Sequence, residues 1–224
     1  MVSPAEKELV HQLHDFLDGK DNNINTPSML NIGAGQSTSI EKQLSSLKCK
    51  YRCDRIDIED CSVTFPTVRH CWIGSVEEMT LVGSNEYEAS FANYVLEHVL
   101  DLHKASREIH RVLRSSGIFV ASLPNTIAPE FLLAKRTPLW FHKIVRRTEA
   151  WETVYSYNNI PELIEIFKVN GFILHDAKYW SFTEGYLRRY PIVSTFSSLY
   201  DRFVSALQIK QLMGNVCITF KKQK

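Results

Sequence analysis

Two glycines, an acid and an asparagine define the chemistry this chain can support. Gly33 and Gly35, in IGAG at 32–35, follow a short apolar run. Glycine at such a turn lets the backbone approach a ligand with no Cβ in the way. Asp57, in RIDIED, comes about two dozen residues later, a spacing at which a carboxylate reaches two vicinal ribose hydroxyls. A dinucleotide site wants a third glycine to bring a helix N-terminus onto a pyrophosphate. Ser37, Thr38 and Ser39 stand here instead, with no basic residue beside them, which suits a ligand without phosphate. Taken alone, the glycines also fit a nicotinamide-dependent enzyme or a plain tight turn.

The elements that position these residues follow from the hydrophobic pattern. Residues 3–18 read as a leading helix, with Ser3 as N-cap, Pro4 at the first helical position and Leu9, Val10, Leu13, Phe16 and Leu17 on one face. After the loop GKDNNINTP, SMLNIGAGQSTSIEKQLSSL reads as strand, turn and helix, the helix carried by Ile40, Leu44 and Leu47. YRCDRIDIED and TVRHCWIGSVEEM are the second and third strands, and EYEASFANYVLEHV is a fourth that runs into a loop. LHKASREIHRVLRSSG reads as an amphipathic helix with Leu102, Ala105, Ile109, Val112 and Leu113 inward and Gly117 placed to end it. IFVASLPN, a helix at 160–170 stopped by Gly171, FILHDAKYW and a last strand at 215–222 complete the series. Strands alternating with helices predict an α/β fold with a parallel sheet.

The run LNIGAGQS resembles the glycine-rich first motif of class I S-adenosylmethionine-dependent methyltransferases, and the likeness extends through most of residues 29–125 in order and spacing. ASFANYVLEHVLDLHKASREIHRVLRSSGIFVASLPN resembles that family's fourth strand, helix and fifth strand, in its small-molecule, type 11 branch. The resemblance implies a Rossmann-like, seven-stranded, mostly parallel sheet with helices on both faces, and S-adenosyl-L-methionine as cofactor. It places Gly33 and Gly35 under the methionine part, Asp57 on the ribose, Ser75 and Val76 beside the adenine, and Asn93 along the methionine side. Three positions depart from the family pattern. Asn31 and Ser75 replace usual acids, and Glu88 stands where Asp commonly opens the fourth strand; Asn and Ser still offer acceptors, so Asn31 counts among the cofactor residues. His98 matches a position near the transferred methyl and is the candidate for taking a substrate proton; the plainer reading is a histidine that packs or caps the next helix. Methyl transfer rests on in-line positioning, so no triad is expected.

Bulk properties narrow the function. A chain of 224 residues suits one α/β domain, divided as a leading segment 1–28, a cofactor-binding core 29–125, a lid 126–157 and a C-terminal half 158–224. Lys+Arg 26 against Asp+Glu 25 leaves +1, with no global field to draw in nucleic acid, and NYVLEHV lacks the Asn/Asp-Pro-Pro-aromatic pattern of base methylation. The absence of a signal-peptide pattern and of a long apolar run points to a cytoplasmic protein with no membrane span. Five cysteines without a CxxC pair argue against zinc and a disulfide framework, and Cys53, Cys71 and Cys217 read as packing thiols. No metal site is expected.

Two segments remain. In 126–157, Lys135, Arg136, Lys143, Arg146 and Arg147 alternate with Phe131, Trp140, Phe141, Trp151, Tyr155 and Tyr157, which fits a lid over an anionic or ring-bearing substrate as well as it fits a solvated loop with aromatic anchors. In the helical insertion 181–213, Ile192, Val193, Phe196, Leu199, Tyr200, Phe203, Val204 and Leu207 share a helical face, expected to pack over the substrate pocket or form a homodimer rather than meet lipid. The functional expectation is methyl transfer to a small-molecule, sugar or lipid-precursor acceptor. The alternative is a catalytically degenerate binding or scaffold protein.

Overall fold

The computed structural model describes residues 2–19, 26–136 and 154–223. The strands are β1 Ser28–Ile32, β2 Arg52–Asp57, β3 Val68–Ile73, β4 Tyr87–Asn93, β5 Leu113–Pro124, β6 Phe172–Trp180 and β7 Asn215–Lys222. The helices are α1 Pro4–Asp18, α2 Ser39–Ser46, α3 Leu102–Val112, α4 Pro129–Arg136, α5 Ile160–Val169, α6 Thr183–Leu187 and α7 Pro191–Leu207. The strands form one sheet in the order β3-β2-β1-β4-β5-β7-β6, parallel from β3 to β5, with β7 antiparallel to both neighbours. After β1 the chain builds outward through β2 and β3, then returns to lay β4 on the other side of β1. The strand order therefore reverses between β1 and β4, where open α/β sheets bind ligands.

Central strands of such a sheet are covered on both faces, and successive side chains alternate between them. Met29, Phe91 and Val120 pack with Leu9 and Leu13 of α1 and Ile40 and Leu44 of α2. Leu30, Ile32, Ala92 and Ala121 pack on the opposite face with Ile109 of α3 and Leu163 and Phe167 of α5. Phe167 stacks against both Phe119 and Phe220, with ring centroids 5.4 and 4.5 Å away. Burial pushes the Cys53 and Cys217 thiols well above their ordinary range, as expected of packing residues, while Cys71 is only half-buried at the sheet edge.

Tertiary context overrides local signals at three places. α3 ends at Val112, and Gly117 lies inside β5 rather than at a helix terminus. The backbone N–H groups of Asn85 and Glu86 donate to the carbonyls of Arg111 and Val112, so tertiary donors terminate the helix. Gly117 is required instead because a Cβ there would meet the Glu88 carbonyl oxygen at 3.0 Å. Leu47 follows the end of α2 and is exposed, and β3 stops at Ile73, leaving GSVEEM outside the strand.

Because Phe167 is fully buried within an aromatic stack, its truncation leaves a cavity that cannot collapse. Phe167→Ala is expected to lower unfolding stability by about 3–5 kcal/mol in urea titration. A loss under about 1 kcal/mol would show that the stack is not part of the packed core.

Candidate functional site

Hydrogen-bond register aligns the expected residues in a row along the carboxyl edge of the sheet. Ile32 pairs with Ile56 and Ala92, so Gly33, Asp57 and Asn93 leave adjacent strands side by side. Asp57 pairs with Ile73, which brings Gly74 and Ser75 to the outer end of the row, and Asn93 pairs with Ser122 at the inner end.

The turn after β1 is held by backbone and carboxylate. The Gly33 N–H donates to the Ile56 carbonyl at 2.9 Å, and the Gly35 N–H donates to Asp57 Oδ2 at 2.8 Å. Both glycines have positive φ, +64° and +49°, which L side chains adopt only at a cost. Their surroundings differ. A Cβ on Gly33 would fall 2.3 Å from Val95 Cγ2, whereas one on Gly35 meets nothing within 4 Å. Gly33 lets Val95 close over the turn, and Gly35 faces open space in which a ligand can lie against backbone.

Beneath the turn sits a buried charged network. Arg55 of β2 is fully buried, and its Nη2 donates to the carbonyls of Ala34, Gly35 and Ser37 at 2.8, 3.1 and 2.7 Å. Its Nε lies 3.8 Å from Glu41 Oε1, an equally buried carboxylate on α2. Asn31 Nδ2 donates to the same Glu41 oxygen at 2.9 Å. The structure thus turns the Asn31 side chain into the network under the turn, not out to the open face.

The remaining residues of the row are tied to their own neighbours. Asp57 Oδ1 accepts the Glu59 N–H at 3.0 Å, and Ser75 Oγ accepts the Glu77 N–H at 3.1 Å. Val76 is buried against Ile56 and Met79. Asn93 Oδ1 accepts from the Ser122 hydroxyl, and its Nδ2 lies 3.4 Å from Glu6 Oε2. His98 closes the 3₁₀ turn Leu96–His98 that follows β4, one turn beyond the row.

Sequence reasoning missed Glu6 and Tyr94 as well as the Arg55–Glu41 pair. Glu6 of α1 is nearly buried, and its Oε1 accepts from the Ser39 hydroxyl at 2.7 Å and Gln43 Nε2 at 2.9 Å; all its described partners are uncharged. Its sole local signal is the helix start, where Ser3 Oγ caps the Glu6 N–H. Tyr94 adopts φ +56°, donates its hydroxyl to Asn215 Oδ1, and lies 2.9 Å from Ser3 Oγ; burial pushes its phenol far above the ordinary range. Arg55 carried one unread signal, a charged residue in the middle of a central strand.

The expected lid, 126–157, is only partly described. Trp140, Phe141, Lys143, Arg146, Arg147 and Trp151 lie outside the described residues, and Lys135 and Arg136 are described only as backbone of α4. Of the other aromatics assigned to that segment, Phe131 and Tyr157 belong to the core, with the Tyr157 hydroxyl donating to the Pro124 carbonyl at 2.9 Å.

The unequal surroundings of the two glycines yield a prediction. Gly33→Ala, which meets both backbone strain and Val95, is expected to cost about 2–4 kcal/mol of stability, and Gly35→Ala about 1 kcal/mol from strain alone. Adding Val95→Ala should recover part of the first loss and none of the second. Equal losses in chemical denaturation would contradict the packing role of Gly33.

Residues 30–121 match the model of a family described as a methyltransferase domain. No curated protein matches the chain in sequence. Similar solved structures include the geranyl diphosphate C-methyltransferase of Streptomyces coelicolor A3(2), 17% identical with a TM-score of 0.61, over 97% of this chain and 78% of that one. The 1,6-didemethyltoxoflavin-N1-methyltransferase of Burkholderia thailandensis is 16% identical with a TM-score of 0.57, over 99% of this chain and 79% of that one. The [4+2]-cyclase SpnF is 15% identical with a TM-score of 0.59, over 95% and 81%. At these identities the likeness establishes the fold, and the cyclase among them shows that this fold serves more than one reaction. The family match lies on the glycine turn and the strand-end row, so over residues 30–121 the chain is similar to a methyltransferase domain.

Proposed function

We propose that the row of strand ends binds S-adenosyl-L-methionine and that the protein transfers its methyl group to a small-molecule, sugar or lipid-precursor acceptor. The observation that carries this reading is the glycine turn fastened to Asp57 with its outer face open at Gly35. Strands are about 4.8 Å apart, so the row from Ser75 to Asn93 spans about 14 Å, enough for a nucleoside joined to an extended amino acid. No basic residue occurs among positions 31–39, which agrees with a cofactor that carries no phosphate.

Each residue then has a task set by its place. Asp57, at the end of β2, accepts from the ribose hydroxyls, while Ser75 and Val76 border the base. Gly33 and Gly35 present bare backbone to the methionine portion. Asn93 lies on the far side of the turn, and Glu6 adds a carboxylate there with no cationic partner among the described residues. Asn31 acts from below, by fixing Glu41 against Arg55. When bound, the cofactor supplies an electrophilic methyl group on a sulfonium. The chain's contribution is alignment, worth more than any single proton transfer in such a displacement. His98, just past β4, is the side chain proposed to take the acceptor's proton.

Binding tests this reading without an acceptor in hand. S-adenosylhomocysteine at about a hundredfold its Kd is expected to stabilise the fold by roughly 2.7 kcal/mol. Asp57→Asn is expected to weaken calorimetric binding by about 1.5–3 kcal/mol, the worth of charged hydrogen bonds. Absence of any stabilisation at saturation would remove the cofactor assignment, and a fully binding Asp57→Asn would move the ribose role to another residue. In the same experiment Glu6→Gln should weaken S-adenosylhomocysteine but not 5′-methylthioadenosine, which lacks the amino-acid portion.

A further inference from the structure

α7 turns its apolar stripe to solvent. Ile192, Phe196, Leu199, Phe203 and Leu207 recur at helical spacing and are 56–76% exposed. The opposite side of the helix faces inward. Ser197 and Val204 are its buried residues, and Asp201 accepts from the hydroxyls of Ser181 and Thr183 and from the backbone N–H groups of Thr183 and Glu184. Of the face expected to pack over the substrate pocket or a second copy, Val204 is buried and Tyr200 donates to the Leu212 carbonyl, while the five residues of the stripe stay exposed: the helix docks by Ser197, Asp201 and Val204. At 1.5 Å per residue the bare stripe is about 22 Å long, and a contiguous apolar surface of that kind marks an interaction site.

Charge indicates the partner. Between residues 188 and 212 the chain carries Arg188, Arg189, Arg202 and Lys210 against one acid, Asp201, and that acid is spent inward. Arg188, Arg189 and Arg202 are exposed and form no ion pair among the described residues, and Lys210 lies over the Tyr179 ring. This local excess stands out in a chain of formal charge +1. Pairing α7 with a second copy would set arginines near arginines with no outward acid in the segment to neutralise them. An anionic lipid surface supplies both what the stripe lacks, an apolar layer of shallow depth, and what the arginines lack, counter-charges. No described helix is long and apolar enough to cross a membrane, so such contact is with the surface.

We propose that α7 is an interfacial helix that docks this protein on an anionic membrane. The docked unit is joined to the strand-end row: Tyr186 of α6 donates to Asn215 Oδ1, the acceptor that Tyr94 also uses. The inference does not depend on the cofactor assignment.

Co-sedimentation of the full chain with phosphatidylcholine vesicles, with and without a third of phosphatidylglycerol, tests it. The wild type should pellet with the anionic vesicles and bind neutral ones about tenfold more weakly, and raised salt should release it. Phe196→Ser combined with Phe203→Ser should weaken anionic-vesicle binding by about tenfold or more, since both side chains would otherwise insert. Arg188→Gln, Arg189→Gln and Arg202→Gln together should abolish the preference for phosphatidylglycerol. All of these positions are exposed, so an unchanged Tm is the expected control. A wild type that stays in the supernatant with both vesicles overturns the proposal. So does a dimer in analytical ultracentrifugation that Phe196→Ser with Phe203→Ser dissociates while vesicle binding is absent, because the stripe would then belong to a second copy.

Discussion

Arg55 enters the core as the middle of a parallel strand, and one of its nitrogens reaches three carbonyls of the turn that follows β1. A guanidinium without solvent is costly unless it is paired and hydrogen-bonded. Glu41 supplies the charge and the turn supplies the acceptors, so the cation is stable only while the turn keeps its shape. The turn in turn has positive φ at two glycines and would relax without those donors. This mutual dependence fixes the backbone whose open side lies at Gly35.

The same network explains why an asparagine stands at position 31. An acid there would face Glu41 at hydrogen-bond distance in a buried setting, and two carboxylates cannot both stay ionised so close together. With the carboxylate moved to α2, the strand position becomes a donor, and Asn31 Nδ2 fills it. Glu6, from α1, brings a second carboxylate to the Asn93 side of the row. The leading helix is thus tied into the site's edge through Ser39, Gln43 and Tyr94 as well as packed on the sheet.

What could be read from sequence was what depends on local pattern. Alternation and glycine placement located the sheet order's first turn, the strand β4 leading into NYVLEHV, and the stop of α5 at Gly171, where φ is +90°. Gly117 misleads because it has the look of a helix stop, while the actual terminators, Asn85 and Glu86, are far away along the chain. Arg55, Glu41 and Glu6 gain their roles from partners brought close only by folding. α7 shows a related limit: its sequence displays one apolar and one polar face, but which face turns inward is decided by the bonds that Asp201 makes to α6 and the residues before it. Phe131 and Tyr157 share a segment with the aromatics expected of a lid, yet both are buried, and the Tyr157 hydroxyl is fastened to the end of β5.

The central dependence of the turn on Arg55 can be separated from its contribution to stability. Arg55→Met alone leaves Glu41 buried without a charge partner and is expected to cost about 3–5 kcal/mol. Arg55→Met combined with Glu41→Gln removes both charges while the amide oxygen introduced on α2 still accepts from Asn31, and the double variant is expected to fold within about 1–2 kcal/mol of the wild type. The decisive measurement is calorimetric titration of that double variant with S-adenosylhomocysteine. A folded protein whose affinity falls by about tenfold or more is the predicted result, because the turn carbonyls have lost their donor. Wild-type affinity in the folded double variant would contradict the account.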